Sequence, residues 1–179
     1  MAIFEAVKKY PNAELPERKT ADSAGYDFVV AEDTLVPPYQ YLMTEIVSLA
    51  GLGAIDDPVT LEEMATITKH AHAKPTLVPT GVKCKMAPDE YLDITPRSST
   101  PLKYWLFIAN SPSRIDADYY NNSENEGHIY MQVVNFSPLP IILKRGDRIA
   151  QGIIHKYMKT EDDTASGIRD GGFGSTKNQ

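Results

Sequence analysis

The central stretch of the chain reads Asn110-Ser-Pro-Ser-Arg-Ile-Asp-Ala-Asp-Tyr-Tyr120. It follows the apolar run Trp105-Leu-Phe-Ile-Ala109 and precedes the alternating run His128-Ile-Tyr-Met-Gln-Val-Val134, and both runs have the pattern of strands. One interpretation of the polar stretch is a solvated β-turn, because Asn, Ser, Pro and Asp favour turns. The other is a site, because the apolar Ile115 can anchor the backbone while Asp116 points into a pocket and accepts a proton from water.

The composition predicts a globular protein. The chain has 179 residues, of which 42% are hydrophobic, and this is enough for one domain with a core. Its net charge of −6 argues against a protein that coats nucleic acid through a basic surface. Cys84 is the single cysteine, which excludes an intramolecular disulfide and disfavours a cysteine-based zinc site. No apolar run approaches the ~18–20 residues of a membrane span and no signal-peptide pattern is present, so we expect a cytoplasmic protein without membrane contact.

The rest of the chain alternates strand patterns with turn residues, apart from one segment near its middle. Strand patterns are expected at residues 3–9, 24–30, 39–47, 76–86 and 148–154, and at residues 91–100, where a strand runs into a polar corner. Between them, Thr60-Leu-Glu-Glu63 has the spacing of a capping box. Apolar residues then follow helical spacing, which predicts a helix from about Leu61 to Ala71.

Two further stretches carry groups that suit phosphate. Arg97-Ser-Ser99 ends a strand and offers a guanidinium, two hydroxyls and backbone N–H groups, although serine-rich corners are also common loops. The tail Arg169-Asp-Gly-Gly-Phe-Gly-Ser-Thr176 is rich in glycine and has one large apolar residue, Phe173. It is interpreted either as a disordered end or as a flap that wraps a ligand, with Phe173 stacked on a base.

Five stretches together resemble the trimeric dUTPase family, in a phage- or bacterial-like form with an insertion. They are Ala24-Gly-Tyr-Asp27, Pro96-Arg-Ser-Ser99, Arg114-Ile-Asp-Ala-Asp-Tyr119, Gly146-Asp-Arg-Ile-Ala-Gln151 and Gly171-Gly-Phe-Gly-Ser-Thr176. The resemblance spans nearly the whole chain and implies an all-β subunit with a distorted jelly-roll fold. It also implies a homotrimer with sites between subunits. The implied reaction is Mg²⁺-dependent hydrolysis of dUTP to dUMP and pyrophosphate, which limits uracil in DNA and supplies dUMP.

The resemblance also implies roles for individual residues. Asp116 is implied to be the base that activates water, and Tyr119 is implied to pack on the deoxyribose and leave no room for a 2′-hydroxyl. Asp27 is implied to hold metal-bound water, while Mg²⁺ binds mainly through the substrate phosphates. The other implied contacts are Asn110, Ser113 and the backbone near Ile115 and Tyr130 at uracil, Arg97, Ser98, Ser99 and Gln151 at the phosphates, and Arg169, Phe173, Gly174, Ser175 and Thr176 in the tail.

The chain departs from the family pattern at several positions. The family usually has Gly where Ser113 stands, and Arg-Gly where Tyr120-Asn-Asn122 opens a longer hairpin. Arg169 lies one residue closer to Phe173 than usual, and Lys177 replaces the usual final Gly.

The expected organisation is a single dUTPase-like domain over residues 1–179. Residues 46–74 have no counterpart in the minimal family pattern, so they are interpreted as an insertion that carries the helix near 61–71. A further hypothesis is that this helix docks a protein partner. Residues 160–179 are expected to form a flexible C-terminal lid.

Two alternative functions remain open at this stage. A dCTP deaminase has a similar fold but needs a base that activates water at the pyrimidine ring. The Ile115-Asp-Ala-Asp-Tyr119 stretch and the Phe173-Gly-Ser-Thr176 tail favour the diphosphatase. The second alternative belongs to another class, a regulatory binding protein on the same trimer for which dUTP is the switch ligand. We expect no direct binding of nucleic acid in either case.

Overall fold

The chain is built from short strands. The computed structural model describes residues 1–39, 74–167, 169 and 171–172. The strands in this part are β1 (Ile3–Ala6), β2 (Tyr26–Val29), β3 (Thr34–Val36), β4 (Thr76–Pro79), β5 (Val82–Lys85), β6 (Glu90–Pro96), β7 (Leu106–Ile108), β8 (Ser113–Asp116), β9 (Tyr130–Asn135), β10 (Ile141–Leu143) and β11 (Arg148–Lys156). One short helix, α1 (Ser99–Tyr104), and one 3₁₀ turn, Ala117–Tyr119, complete the described elements. None of the helices in these residues is long and apolar enough to cross a membrane.

The strands form two larger sheets and two pairs. The larger sheets have the orders β2-β11-β6-β8 and β4-β9-β7, and the pairs are β1-β5 and β3-β10. All these pairings are antiparallel, so the described chain is all-β apart from α1, as predicted.

The core lies on the buried faces of these sheets. Along β9, Met131 and Val133 are buried while Tyr130 and Gln132 are more exposed, because successive side chains of a strand point to opposite faces. Burying one large apolar side chain contributes about 1.5–3 kcal/mol. The largest buried side chains are Phe28, Leu92, Ile94, Leu106, Ile129 and Met131.

Two local expectations were wrong or incomplete. The polar stretch after Asn110 is not only a turn, because Ser113–Asp116 forms β8 on the edge of β6. Pairing with β6 therefore overrides the local turn preference of these residues. The helix α1 was not predicted at the serine-rich corner, where the Thr100 hydroxyl donates to the Ile149 carbonyl at 2.7 Å and ties the corner to β11.

Two other predictions fall on segments of which the structure describes only one residue. The expected strand at residues 39–47 lies outside the described residues except for Tyr39, and the helix expected near 61–71 lies entirely outside them.

Candidate active site

A cavity of about 160 Å³ opens between β8, the 3₁₀ turn and β9. It contains seven of the residues that the sequence predicted for the site, which are Asn110, Ser113, Ile115, Asp116, Tyr119, Tyr130 and Arg169. It is also lined by Arg114, Ile129 and Gln132, which were not predicted. The structure thus assembles the predicted uracil and sugar residues around one space.

One end of the cavity is polar, and one hydrogen bond joins its Asn110 and Ser113 side chains. The Asn110 side chain donates from Nδ2 to the Ser113 hydroxyl at 3.1 Å, and Ser113 is only 4% exposed. This contact orients the Asn110 amide within the cavity. At the other end Ile115 packs against the core, and the next residue, Asp116, is exposed.

The ring of Tyr119 forms one wall and is held at its hydroxyl. Tyr119 is 8% exposed. Its hydroxyl donates to the carbonyl of His128 at 3.1 Å and accepts from Nδ2 of Asn125 at 2.8 Å. Burial raises the pKa of the Tyr119 hydroxyl, and the hydrogen bond from Asn125 acts in the opposite direction.

The described residues of the tail lie against this cavity. Arg169 donates from Nη2 to Oδ2 of Asp116 at 2.5 Å and from Nε to Oδ1 of Asp118 at 2.8 Å. The Gly172 amide donates to Oε2 of Glu124 at 3.0 Å. The tail residues Phe173, Gly174, Ser175 and Thr176 lie outside the described residues.

The Gly172 backbone packs closely on the tyrosine. A Cβ added to Gly172 would lie 2.7 Å from Cε2 of Tyr119, so a side chain at this position has no room. Glycine is therefore needed where the tail crosses the ring.

A second group of predicted residues lies on neighbouring strands of the large sheet. Asp27 on β2 is the register partner of Gln151 on β11, and Arg97 forms an ion pair with Asp27, with 3.1 Å between Nε and Oδ1. A Cβ on Gly25 would lie 2.8 Å from the Gln151 side-chain oxygen, so Gly25 leaves room for that amide. Asp27, Arg97 and Gln151 thus form one polar cluster.

The serine corner adjoins this cluster. Ser98 precedes α1 and Ser99 begins it, and the Ser98 hydroxyl makes no capping hydrogen bond to the helix. Arg97 and Ser99 line a depression of about 540 Å³ whose wall also contains Lys103 and Arg148. Asp147 also lines the depression, so three cationic side chains and one carboxylate border it, and the excess of positive charge suits phosphates.

The two groups of site residues are far apart within one chain. On β6, Thr95 lies opposite Gln151 and Tyr91 lies opposite Asp116. These positions on β6 are four residues apart, which corresponds to about 13 Å along the strand. In addition, β11 and β8 flank opposite edges of β6, which adds a sideways separation of about 9–10 Å. One chain therefore does not bring the expected phosphate group to the Asp116 carboxylate.

Among the cavity residues that the sequence analysis did not predict, only Gln132 could have been identified from a sequence pattern. It lies two residues after Tyr130 on the same face of β9, so a strand that directs Tyr130 to the site also directs Gln132 there. Arg114 forms a bidentate contact with Asp93, in which Nε donates to Oδ1 at 3.1 Å and Nη2 donates to Oδ2 at 3.2 Å. That contact depends on the register of β6 and β8, which local sequence does not reveal.

The comparison with protein families decides the assignment. The model of the family described as dUTPase matches residues 59–177, more than half of the chain. The chain belongs to the dUTPase family. The family assignment agrees with the resemblance that the five sequence stretches indicated.

Similar sequences carry the corresponding name. The deoxyuridine 5′-triphosphate nucleotidohydrolase of Lactococcus lactis subsp. lactis is 36% identical over 177 residues, covering 97% of this chain and 95% of that protein. The enzyme of the same name from Rickettsia conorii is 30% identical, covering 95% of this chain and 94% of its own length.

Solved structures of dUTPases share the fold. The dUTPase from Streptococcus mutans aligns with a TM-score of 0.66 and 34% identity, covering 88% of this chain and 98% of that one. The dUTPase from phage phi11 of S. aureus, described with a species-specific insert, aligns with a TM-score of 0.61 and covers 94% of this chain and 97% of its own. It is 16% identical, so this likeness shows the fold alone. The expectation of a dUTPase-like jelly-roll fold is confirmed.

Proposed function

We propose that this dUTPase-family chain hydrolyses dUTP to dUMP and pyrophosphate, and that Asp116 activates the attacking water. The observation that carries the proposal is the single cavity shared by Asn110, Asp116 and Tyr119. An amide, a carboxylate and a flat ring around one cavity supply the polar and stacking contacts that a pyrimidine nucleoside needs. Its phosphates would leave the cavity past Asp116.

The polar end of the cavity is the proposed uracil site. The Ser113 hydroxyl fixes the Asn110 amide, so this amide is pre-oriented for a base edge. The backbone of Ile115 on β8 and of Tyr130 on β9 borders the same cavity and supplies donors and acceptors. Pre-oriented groups of this kind give base selectivity because a mismatched base leaves them unpaired.

Tyr119 is the proposed sugar selector. Its buried ring forms a wall of the cavity. We propose that the ring leaves no space for an added 2′-hydroxyl. Deoxyribose packs on the ring, whereas ribose meets a steric barrier.

Asp116 is the proposed general base. Its side chain is 51% exposed and pairs with Arg169. We propose that Arg169 turns to the phosphates when dUTP binds, which frees the carboxylate to take a proton from water. General base catalysis of this kind contributes about 10²–10⁴-fold.

The second polar cluster is the proposed phosphate site. Phosphoanhydride hydrolysis depends mainly on charge neutralisation and alignment of the reacting groups. Arg97 supplies a guanidinium, Gln151 a neutral amide, and the Ser98 and Ser99 hydroxyls further donors. The tail residues Arg169, Gly174, Ser175 and Thr176 complete this set.

The residues near the phosphates fit a magnesium ion that the substrate brings. Within the described residues, no group of three or more His, Cys, Asp or Glu side chains is arranged to hold a metal ion. Asp27 is a single carboxylate beside Arg97, and its side chain is 12% exposed. Mg²⁺ binds through one or two carboxylates plus substrate phosphates, and it keeps several waters. We propose that Asp27 holds a metal-bound water, and that the ion neutralises the phosphate charge.

We propose a homotrimer with sites between subunits. The distance between Asp116 and Gln151 within one chain supports it, because a phosphate cluster from another copy can meet the Asp116 cavity. Exposed apolar side chains also supply contact area for such an assembly. They include Leu35, Leu77, Phe107, Phe136, Leu139 and Ile142.

The other sequence predictions extend the proposal. Residues 1–179 form one dUTPase-like domain, in which residues 46–74 are an insertion that offers a docking element to a protein partner. Residues 160–179 close over the nucleotide, with Phe173 on uracil. A free nucleotide as substrate favours a cytoplasmic location, where the product dUMP becomes available and uracil is kept out of DNA.

Neither alternative function is favoured by the comparisons. A dCTP deaminase of the same fold and a dUTP-switched binding protein both require properties beyond the family match. The family assignment and the relatives' names support hydrolysis instead.

Product analysis tests the proposal directly. The protein is incubated with Mg²⁺ and each deoxynucleoside triphosphate in turn, and the products are separated by ion-exchange chromatography. We expect dUMP and pyrophosphate from dUTP. Formation of dUTP and ammonia from dCTP would establish the deaminase instead, and dUTP binding without turnover would establish the binding protein.

A further inference from the structure

The hydroxyl of Tyr119 is hydrogen-bonded by the asparagine loop, which comprises residues 121–127, and by His128, the residue that follows this loop. Asn125 donates from Nδ2 to this hydroxyl at 2.8 Å, and the hydroxyl donates its single proton to the His128 carbonyl at 3.1 Å. The ring hydroxyl is thus held by one accepted and one donated hydrogen bond. Both bonds come from the hairpin that departs from the usual family pattern.

The side chain of Asn122 stabilises the asparagine loop through hydrogen bonds. Asn122, which is 7% exposed, donates from Nδ2 to the carbonyl of Tyr119 at 2.9 Å and to Oδ1 of Asn125 at 2.9 Å. Its Oδ1 accepts from the amides of Glu124 and Asn125, at 3.1 Å each. The side-chain oxygen of Asn125 also accepts from the Gly127 amide at 3.0 Å. Asn125 is therefore fixed through its oxygen while its nitrogen faces the tyrosine.

We infer that Asn125 is a positioning residue that sets the preference for deoxyribose through the Tyr119 ring. The inference rests on the proposed hydrolysis of dUTP and on Tyr119 as its sugar selector. A ring excludes a 2′-hydroxyl only if it cannot tilt, and a shift of about 1 Å in a positioning group changes rates by about 10²-fold. Asn125 restrains the end of the ring that lies farthest from the backbone, where a tilt has its largest amplitude.

Asn125→Asp separates this role from a general role in the loop. Aspartate keeps the side-chain oxygen that accepts from Asn122 and Gly127, but it has no N–H to donate to Tyr119. The single proton of the Tyr119 hydroxyl then goes either to the new carboxylate or to the His128 carbonyl, so the hydroxyl keeps one hydrogen bond instead of two. The matched control is Asn121→Asp, which adds the same charge to the same loop. The side-chain oxygen of Asn121 accepts from Nζ of Lys83 at 2.6 Å, and aspartate preserves that contact.

The readout is the ratio of kcat/KM for dUTP to that for UTP. We expect about a tenfold fall in Asn125→Asp, because one hydrogen bond to the selecting ring is lost, and an unchanged ratio in Asn121→Asp. A fall confined to Asn125→Asp supports the inference, whereas equal ratios in the two variants overturn it. Thermal unfolding and gel filtration establish that both variants are folded.

A second variant covers the case in which Asn125→Asp does not fold. Tyr119→Phe removes the hydroxyl without altering the loop, so a lower ratio supports the anchoring role and an unchanged ratio overturns it. Affinities for dUMP and UMP are measured in parallel. If the wild type hydrolyses no dUTP, the proposed function fails, and the dUMP to UMP affinity ratio of the same variants still decides the inference.

Discussion

Arg169 of the tail and Asp116 of the cavity form an ion pair, with 2.5 Å between Nη2 and Oδ2. The same guanidinium contacts Asp118 at 2.8 Å. The two aspartate side chains are 51% and 58% exposed, and exposed ion pairs of this kind contribute only about 0.2–1 kcal/mol each. The two ion pairs of Arg169 are therefore weak contacts, which the phosphates of a nucleotide can displace.

Removal of the tail tests its function as a lid. Truncation after Gly167 deletes Arg169 and the glycine-rich segment but leaves the other cavity residues in place. We expect a folded assembly with strongly reduced dUTP turnover and largely retained dUMP affinity, because closure excludes water and aligns the phosphates. Arg169→Ala in the full chain separates the arginine from Phe173. Steady-state hydrolysis and dUMP titration are the measurements, and full turnover without the tail would show that it is only a chain end.

The buried His128 predicts a loss of stability in acid. Burial lowers the pKa of His128 to about 4, and its Nε2 accepts from the Gly81 amide at 2.9 Å. Because the unfolded side chain has a pKa near 6.5, it binds a proton between pH 6.5 and 4 while the folded one does not. The contribution of His128 to the free energy of unfolding is therefore fully present above pH 6.5. It falls by about 3 kcal/mol as the pH decreases to 4.

Urea unfolding at pH 7, 5.5 and 4.5 measures this effect. His128→Gln keeps an acceptor for the Gly81 amide and removes the titrating group, so we expect a flatter dependence on pH. His155→Gln is the control and is expected to keep the wild-type slope. Parallel slopes for His128→Gln and the wild type would refute the assignment.

Gly127 is predicted to be required where the asparagine loop passes Tyr119. Its φ is +79°, and a Cβ would lie 2.6 Å from the carbonyl oxygen of Tyr119. Gly146→Ala is a matched control, because Gly146 has φ +89° but nothing within 4 Å of the added atom. We expect Gly146→Ala to cost about 1–2 kcal/mol from strain alone. Urea unfolding should show a larger loss for Gly127→Ala, and equal losses would contradict the close contact.

The insertion is predicted to be dispensable for catalysis. Pro38 bridges to Asn135 and Thr76 pairs with Val133, so the chain leaves and rejoins β9 at positions two residues apart, about 7 Å. The segment between Pro38 and Thr76 therefore has ends that lie close together, and each doubling of loop length changes the closure cost by only about 0.6 kcal/mol. The test replaces residues 46–74 with a short glycine–serine linker.

Gel filtration and dUTP hydrolysis test this replacement. We expect the assembly state and the turnover of the wild type, because the insertion contains no predicted site residue. Loss of assembly would show that the insertion is structural.

The grouping of residues in one cavity was predictable where their chemistry and order along the chain match the family. Asn110, Asp116 and Tyr119 were expected at one site, and the structure places them around one cavity. The separation of this cavity from Gln151 was not predictable, because it follows from how β11 and β8 pair with opposite edges of β6. Such pairings join residues that are distant in sequence, and local patterns do not encode them.

The asparagine loop shows the same limit at shorter range. The sequence predicted an extended hairpin tip there, but not the contact between Asn125 and the Tyr119 hydroxyl. That contact depends on left-handed backbone at Asn121 and Glu126, with φ of 58° and 62°. Residue preferences do not specify where non-glycine residues adopt this conformation, because the surrounding hydrogen bonds stabilise it.

The central claim is that Asp116 activates water for the hydrolysis of dUTP. Asp116→Asn keeps the shape of the side chain and removes its basicity, while Asp118→Asn removes the neighbouring carboxylate that contacts the same Arg169. The decisive measurement is single-turnover formation of dUMP and pyrophosphate by both variants, with dUTP affinity measured alongside. We expect Asp116→Asn to bind dUTP and to be at least about 10²-fold slower, and Asp118→Asn to stay near the wild-type rate. An Asp116→Asn variant with more than about a tenth of the wild-type rate would contradict a base effect of that size.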